Sequence, residues 1–277
     1  MLSLFFFFAF LLGTIIGSFL NVVALRYGTQ KNLGGRSSCM SCKNTLSWFE
    51  LIPVVSFCTL GGKCRNCKSK ISFQYPLVEI GMGILFALTY LKFLPMLMVS
   101  PFVFAFVFSF IVVVFSILVV IVVYDIHHKM IPNPLVYWFI GLSFLWVIML
   151  RGVPGIFMFP AVLDLLAGPL MALPFALLWL VSSGRWIGFG DAKLALGIGW
   201  FLGIVGGVSA IALGFWIGAA VSIVLLLLSK FGKGKGKIKI TRTTEIPFAP
   251  FLVFGLLIVF FFNFDFFYIR DLIAYVF

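Results

Sequence analysis

Two aspartates stand at the borders of long apolar runs, where a charged side chain is costly. Asp125 ends the apolar run 102–124, and Asp191 closes the sequence Gly188-Phe189-Gly190-Asp191 just before another apolar run. Ionisable groups at membrane depth mark functional sites by default. If two carboxylates approach closely they share one proton, so one can act as general base on a water while the other polarises a carbonyl. The pair predicts aspartic peptidase chemistry.

The residues around the aspartates fit this interpretation. Gly188 and Gly190 permit positive φ and leave space for another backbone to approach Asp191, as an extended peptide substrate would require. The structural alternative is a glycine-rich loop in which Asp191 caps a helix. His127 and His128 could bind a metal or assist proton transfer, but we expect them to be polar residues at the membrane boundary.

Four of the five cysteines form two CxxC pairs with 21 residues between them: Cys39, Cys42, Cys64 and Cys67. This spacing predicts a zinc site, and four thiolates leave no open position, so the zinc would be structural. Lys63, Arg65 and Lys68 lie beside the second pair and would lower the thiol pKa values. Redox-active pairs and disulfides are the alternatives, and a reducing cytoplasm argues against disulfides. Cys58 is expected to be a small buried side chain.

The composition indicates which elements must position these residues. The 277 residues are 63% hydrophobic and only 10% charged, with a mean hydropathy of +1.21. These values exclude a soluble globular protein and a disordered chain, and they predict an all-α polytopic membrane protein. The formal net charge of +12 is then explained by basic cytoplasmic loops rather than by binding to nucleic acid.

The apolar runs and the positions of the basic residues predict eight transmembrane helices. The runs cover 2–25, 77–91, 96–124, 134–150, 156–181, 194–228 and 246–262. One helix over 194–228 would be about 52 Å long, although the hydrocarbon core is ~30 Å thick. We therefore predict two short spans that turn near Gly206–Gly207. This count places 17 of the 20 Lys and Arg on one side, with both termini outside.

Four regions follow from this topology. Residues 1–25 form the first transmembrane helix, and residues 26–75 form a small cytoplasmic insert that carries the four paired cysteines. Residues 76–265 form a membrane domain with seven helices, and residues 266–277 form a tail at the outer face. An insert of this size needs a metal because its own core is small.

The remaining acids have structural interpretations. Glu79, near the cytoplasmic end of the second helix, is expected to pair with an Arg or Lys of the insert. Asp164 is expected at the outer interface. The other four are expected to be solvated: Glu50, Glu245, Asp265 and Asp271.

Together the motifs resemble the type IV prepilin peptidases, and the resemblance covers most of the chain. Family members usually carry glycine where this chain has Ala249. The matching stretches are Gly17-Ser18-Phe19-Leu20-Asn21, Arg36-Ser37-Ser38-Cys39, Ile52-Pro53-Val54-Val55-Ser56, Gly62-Lys63-Cys64-Arg65 with Cys67, Ile71-Ser72, Tyr75-Pro76-Leu77-Val78-Glu79, Asp125 with Ile131-Pro132-Asn133, Gly188-Phe189-Gly190-Asp191-Ala192-Lys193, and Ile246-Pro247-Phe248-Ala249-Pro250-Phe251.

The resemblance implies an inner-membrane aspartic endopeptidase of the GxGD class. Such an enzyme cleaves the leader from prepilins or pseudopilins at a Gly–Phe-like bond on the cytoplasmic side, and many members also N-methylate the new terminus with S-adenosylmethionine. Carried over, Asp125 and Asp191 are the catalytic pair and the four paired cysteines bind zinc. The implied partners are pilin-like substrates and the lipid bilayer, without nucleic acid.

Two other functions would account for some of these motifs. Presenilin-type proteases also use Tyr-Asp and GxGD, as in Tyr124-Asp125, but they lack an insert with four paired cysteines. A proton-coupled transporter with a zinc-stabilised insert would show internal repeats and midplane acids. A methyl-donor pocket, in the absence of a G-x-G-x-x-G fingerprint, would be built by the insert and the helix ends, with Glu50 and Glu79 as the nearest acids.

Overall fold

The computed structural model describes residues 2–29, 34–152, 162–231 and 246–266. These residues are almost entirely helical, with a 3₁₀ turn at Trp48–Leu51. The α-helices are α1 (Leu2–Arg26), α2 (Val55–Thr59), α3 (Gln74–Val99), α4 (Pro101–His128), α5 (Asn133–Arg151), α6 (Val162–Ser182), α7 (Phe189–Phe231) and α8 (Ala249–Phe262). Six of these described helices are long and apolar enough to cross a membrane, and α8 is a shorter apolar helix. The predicted all-α membrane fold is confirmed.

Helix α7 is broken at Gly203, which has φ 73° and ψ −177°. A Cβ atom on Gly207 would lie only 3.3 Å from Gly199 Cα, whereas residues eight apart in a continuous helix are separated by about 12 Å. The two halves of α7 therefore fold back on each other. The predicted turn near Gly206–Gly207 was three residues too late, because positive φ is needed at Gly203 and the later glycines pack against neighbouring side chains. Counting both halves of α7, the described residues contain eight apolar helical segments.

The chain divides into two compact units, Met1–Val123 and Tyr124–Phe277. In the first unit α1 packs along α3. A Cβ atom on Gly13 would lie 2.8 Å from Gly83 Cα, so the two backbones nearly touch. Small residues at such crossings let membrane helices associate closely.

In the second unit α5, α6 and α8 pack against α7. A Cβ atom on Gly199 would lie 2.9 Å from Gly168 Cα, which shows that α6 and α7 also meet at the backbone. At one end of this unit the Arg151 Nη2 and Asp164 Oδ2 atoms form an ion pair of 2.7 Å, which joins the end of α5 to the start of α6. Asp164 was predicted as an interfacial residue, and its partner is Arg151.

Some predictions from the sequence fall outside the described residues. They concern Glu245, Asp271, the basic loop 232–245 and the tail beyond Phe266.

Candidate active site and zinc site

Asp125 lies one turn before the end of α4 and is only 5% exposed. Its Oδ2 atom accepts a hydrogen bond from the N–H of Ala249 at 3.2 Å. Ala249 is the first residue of α8, and the first N–H groups of a helix have no partner within that helix. The start of α8 therefore fixes the orientation of the Asp125 carboxylate.

Ala249 is a site residue to which the sequence assigned no role. Because its contribution is a backbone N–H, alanine supplies it as well as the glycine usual in the family. Pro250 marks the start of a helix and was the available signal. The sequence pattern does not, however, indicate that this helix start lies against the Asp125 carboxylate, which is 124 residues away in the chain.

Asp191 lies in the first turn of α7 and is partly exposed. Its N–H donates to the carbonyl of Gly188 at 3.1 Å, so Gly188 rather than Asp191 occupies the capping position. The carboxyl group of Asp191 interacts electrostatically with that of Asp125. The fold thus brings together two acids from different helices, 66 residues apart in the chain.

The glycines beside Asp191 provide space rather than unusual backbone angles. Neither Gly188 nor Gly190 has a positive φ, so the conformational freedom expected of them is not used. A Cβ atom on Gly190 would lie 2.9 Å from the Cβ of Ile131, closer than packed side chains approach. A Cβ atom on Gly188 would make an ordinary contact of 3.6 Å with Asp191 Oδ2. Gly190 therefore lets the turn after α4 pack directly on the start of α7.

The two histidines lie on the exposed end of α4. The His128 ring stacks on Tyr124 with centroids 4.1 Å apart, and its Nδ1 atom lies 3.2 Å from the Tyr124 carbonyl oxygen. Among the described residues, neither histidine belongs to a group that could hold a metal. Their position at the membrane boundary stays a prediction.

The four paired cysteines converge in the insert. The Sγ atoms of Cys39, Cys42, Cys64 and Cys67 all lie within 4.8 Å of one another. A tetrahedral site with Zn–S bonds of about 2.3 Å has S–S edges of roughly 3.8 Å. The separation of the Cys39 and Cys67 sulfurs is 3.8 Å. The cluster therefore fits a tetrahedral metal ion such as zinc.

Two similar turns present these sulfurs. The N–H of Cys39 donates to the Asn44 carbonyl at 3.0 Å, and the N–H of Cys64 donates to the Ser69 carbonyl at 2.8 Å. Each turn passes through a lysine with positive φ, 59° at Lys43 and 58° at Lys68, and each is flanked by a β-bridge. This shared backbone geometry aims both thiols of each pair at one point.

Hydrogen-bond donors in these turns favour the thiolate form of Cys39 and Cys67, whereas burial and the neighbouring sulfurs raise the pKa of Cys42. The backbone N–H groups of Cys42 and Ser41, with the Ser69 hydroxyl, lower the pKa of Cys39 to about 6. The hydroxyl and N–H of Ser69 lower the pKa of Cys67. These donors, rather than the neighbouring cations that the sequence suggested, account for the lowered pKa values of Cys39 and Cys67. Cys58 is exposed, so its predicted burial was wrong.

Glu79 anchors the insert to α3. It is 6% exposed, and its Oε2 atom accepts the N–H of Val54 at 2.7 Å, while Ser18 of α1 supplies a second hydrogen bond. The partner from the insert is thus a backbone amide and not the expected Arg or Lys. Val54 itself has φ 61°, which is rare for a β-branched residue.

Glu50 also has a local partner. Its carboxylate accepts the N–H of Ser47 at 2.7 Å, which lowers the pKa of Glu50 and caps the 3₁₀ turn. Both acids that were expected near a methyl donor, Glu50 and Glu79, therefore already accept a backbone hydrogen bond.

These features define a multi-pass membrane protein with two interacting aspartates at helix ends and a four-cysteine insert. Residues 11–93 match the bacterial peptidase A24 N-terminal domain, and residues 112–231 match the type IV leader peptidase family. The chain belongs to the type IV leader peptidase family, as its motifs indicated. No solved structure matches it.

Curated relatives cover nearly the whole chain. A protein of Bacillus subtilis is 32% identical over 89% of this chain and 90% of its own length. A protein of Xanthomonas campestris is 28% identical over 92% of this chain and 90% of its own length. A protein of Pseudomonas aeruginosa is 28% identical over 87% of this chain and 85% of its own length. Each carries the name prepilin leader peptidase/N-methyltransferase.

Proposed function

We propose that this protein is a membrane aspartic endopeptidase that removes the leader peptide from prepilins or pseudopilins and then N-methylates the new terminus. The observation that carries the peptidase proposal is the electrostatic interaction between Asp125 and Asp191, together with the N–H of Ala249 that orients Asp125. The family membership and the names of the relatives support the choice of substrate.

In the proposed mechanism Asp125 and Asp191 share one proton. The unprotonated carboxylate removes a proton from a water whose oxygen attacks the scissile carbonyl, and the protonated carboxyl donates its proton to the carbonyl oxygen. The C–N bond of the tetrahedral intermediate then breaks as the leaving amine takes up a proton. The Ala249 N–H holds one Asp125 oxygen in place, which leaves the other free for the water.

We propose that S-adenosylmethionine donates the methyl group and that zinc has a structural role. Methyl transfer forms a C–N bond to the new amine, breaks the C–S bond of the sulfonium and releases one proton. Because Glu79 and Glu50 already accept backbone N–H groups, we propose that they shape the insert rather than contact the donor. Zinc bound by the four paired cysteines would fold the insert without taking part in cleavage.

The direct test incubates the purified enzyme with a full-length model prepilin in detergent or nanodiscs, with and without S-adenosylmethionine. Mass spectrometry distinguishes loss of the leader from the gain of a methyl group. Wild-type enzyme that leaves the prepilin intact would refute the peptidase proposal. Cleaved but never methylated product would refute the methyltransferase proposal alone.

The proposed topology places the insert in the cytoplasm, and the native cysteines can test it. All five lie in the insert, and Cys58 is exposed. An impermeant thiol reagent should label wild-type protein only after the cytoplasmic membrane is permeabilised. Val99→Cys, at the 88% exposed last residue of α3, should be labelled in intact cells. Labelling of the wild type from outside would reverse the orientation.

A further inference from the structure

Lys193 lies two residues after Asp191, and its side chain is held by three groups. Its Nζ atom donates to Asn133 Oδ1 at 2.7 Å. The same atom lies 4.9 Å from the centre of the Tyr137 ring and 5.2 Å from that of the Phe189 ring. An ammonium over aromatic faces is attracted by their π electrons. We call these three partners, Asn133, Tyr137 and Phe189, the lysine cradle.

The cradle is built from facing turns of two helices. Asn133 and Tyr137 are four residues apart at the start of α5, and Phe189 and Lys193 are four residues apart at the start of α7. Residues with this spacing lie on one face of a helix. Lys193 thus joins the start of α7 to the start of α5.

Lys193 does not act as the counter-ion of the aspartates. Among the residues that the structure describes, it forms no ion pair within 4 Å. Residues two apart on a helix point in roughly opposite directions, about 200° around the axis. Lys193 therefore faces α5, where its Nζ atom meets Asn133 and Tyr137, and the Asp191 side chain points away from that contact.

Two contacts connect the start of α7 to the chain between α4 and α5, and they involve residues on either side of Asp191 in the sequence. Gly190 packs against Ile131, and Lys193 binds Asn133. Ile131 lies in the turn between α4 and α5, and Asn133 is the first residue of α5. The first contact is apolar and sets how closely the two segments approach. The second is polar and directional, and it fixes their relative rotation.

We propose that Lys193 is a positioning residue that, through Asn133, holds Asp191 at the separation from Asp125 that their shared proton requires. This inference rests on the proposed peptidase function. A displacement of the reacting groups by about 1 Å can lower a rate ~10²-fold. Because the cradle does not touch the substrate in this assignment, its loss should lower kcat and leave KM almost unchanged.

The test measures kcat and KM for prepilin cleavage by purified variants. Lys193→Met and Asn133→Leu remove the donor and the acceptor, and each should lower kcat by about 10- to 100-fold. Lys193→Arg and Asn133→Asp keep a cation and an acceptor, and they should retain most of the activity. The Lys193→Met/Asn133→Leu double variant should be no worse than the poorer single variant, because partners in one contact are not additive.

Lys129→Met is the matched control, since it removes a cation from the turn after α4 without touching the cradle. It should cleave like the wild type. Unchanged kcat in Lys193→Met would overturn the proposal. So would multiplicative losses in the double variant, or a loss confined to KM, which would indicate contact with the substrate. If Lys193→Met does not accumulate, the comparison of Asn133→Leu with Asn133→Asp decides. Inactive wild type would instead refute the peptidase function.

Discussion

In the insert the chain is held by a cluster of four cysteines that could bind a metal and by single hydrogen bonds, whereas around the aspartates it is held by helices whose backbones nearly touch. The short helices of the insert bury none of their residues, and among the described residues 34–73 only the Cys64 side chain is buried. In the second unit Gly199 faces the α6 backbone, and the interior side chains of α7 are fully covered. The comparison teaches that the aspartate site should tolerate loss of metal better than the insert does.

The largest effect is expected at the aspartates. Asp125→Asn and Asp191→Asn should each lower the rate of prepilin cleavage by about 10²- to 10⁴-fold, because an amide cannot share a proton as a carboxyl does. The measurement is the cleavage rate of purified variants, with membrane insertion and the amount of protein checked in parallel. Bound zinc should stay at the wild-type level in both. Substantial cleavage by either variant would remove that residue from the mechanism.

Loss of the metal should affect the insert most strongly. We expect about one zinc per chain by metal analysis, and Cys64→Ser should lose it because three thiolates complete the site poorly. Structural zinc contributes on the order of 10 kcal/mol to small domains, so the insert should unfold locally. Methylation should then fall more than cleavage.

Cys58→Ser is the matched control, because Cys58 is exposed and lies outside the cluster. It should keep both zinc and both activities. Wild-type protein without zinc or iron would contradict the site. Parallel loss of cleavage and methylation in a folded Cys64→Ser variant would make the insert part of the peptidase site.

Residue type and spacing sufficed to predict the features that local chemistry determines. The CxxC pairs indicated a four-sulfur cluster, and the apolar runs indicated the helices. The sequence could not predict contacts that depend on how helices cross. The Ala249 N–H reaches Asp125 across 124 residues, and the Val54 N–H reaches Glu79 across 25. Both donors are backbone groups, which any residue type supplies, so no side-chain pattern reveals them.

Gly190 tests the close packing of the aspartate site. Gly190→Ala would place a methyl group 2.9 Å from the Cβ of Ile131, so the start of α7 must shift. Cleavage should fall by about 10-fold, in proportion to a displacement below 1 Å. Adding Ile131→Gly, which removes that Cβ, should restore part of the rate by making room. Gly141→Ala in α5, where an added Cβ meets nothing within 4 Å, should behave like the wild type.

The smallest effect is expected where the insert meets α3. Glu79→Ala removes the acceptor of the Val54 N–H, and a buried N–H left without its partner costs about 1–3 kcal/mol. Glu79→Gln keeps an oxygen acceptor and should cost less. Amide hydrogen exchange in residues 34–73 should become faster in Glu79→Ala, and methylation should fall, while the cleavage rate stays within about twofold of wild type.

A change at Val54 should have the opposite effect on amide exchange from Glu79→Ala. Its φ of 61° is unfavourable for a β-branched residue and costs glycine little, so Val54→Gly relieves strain while it keeps the N–H that Glu79 accepts. Val54→Gly should therefore slow exchange or leave it unchanged, and it should offset part of the loss when combined with Glu79→Ala. Faster exchange in Val54→Gly alone would show that the valine side chain, and not the hydrogen bond to Glu79, holds the insert against α3.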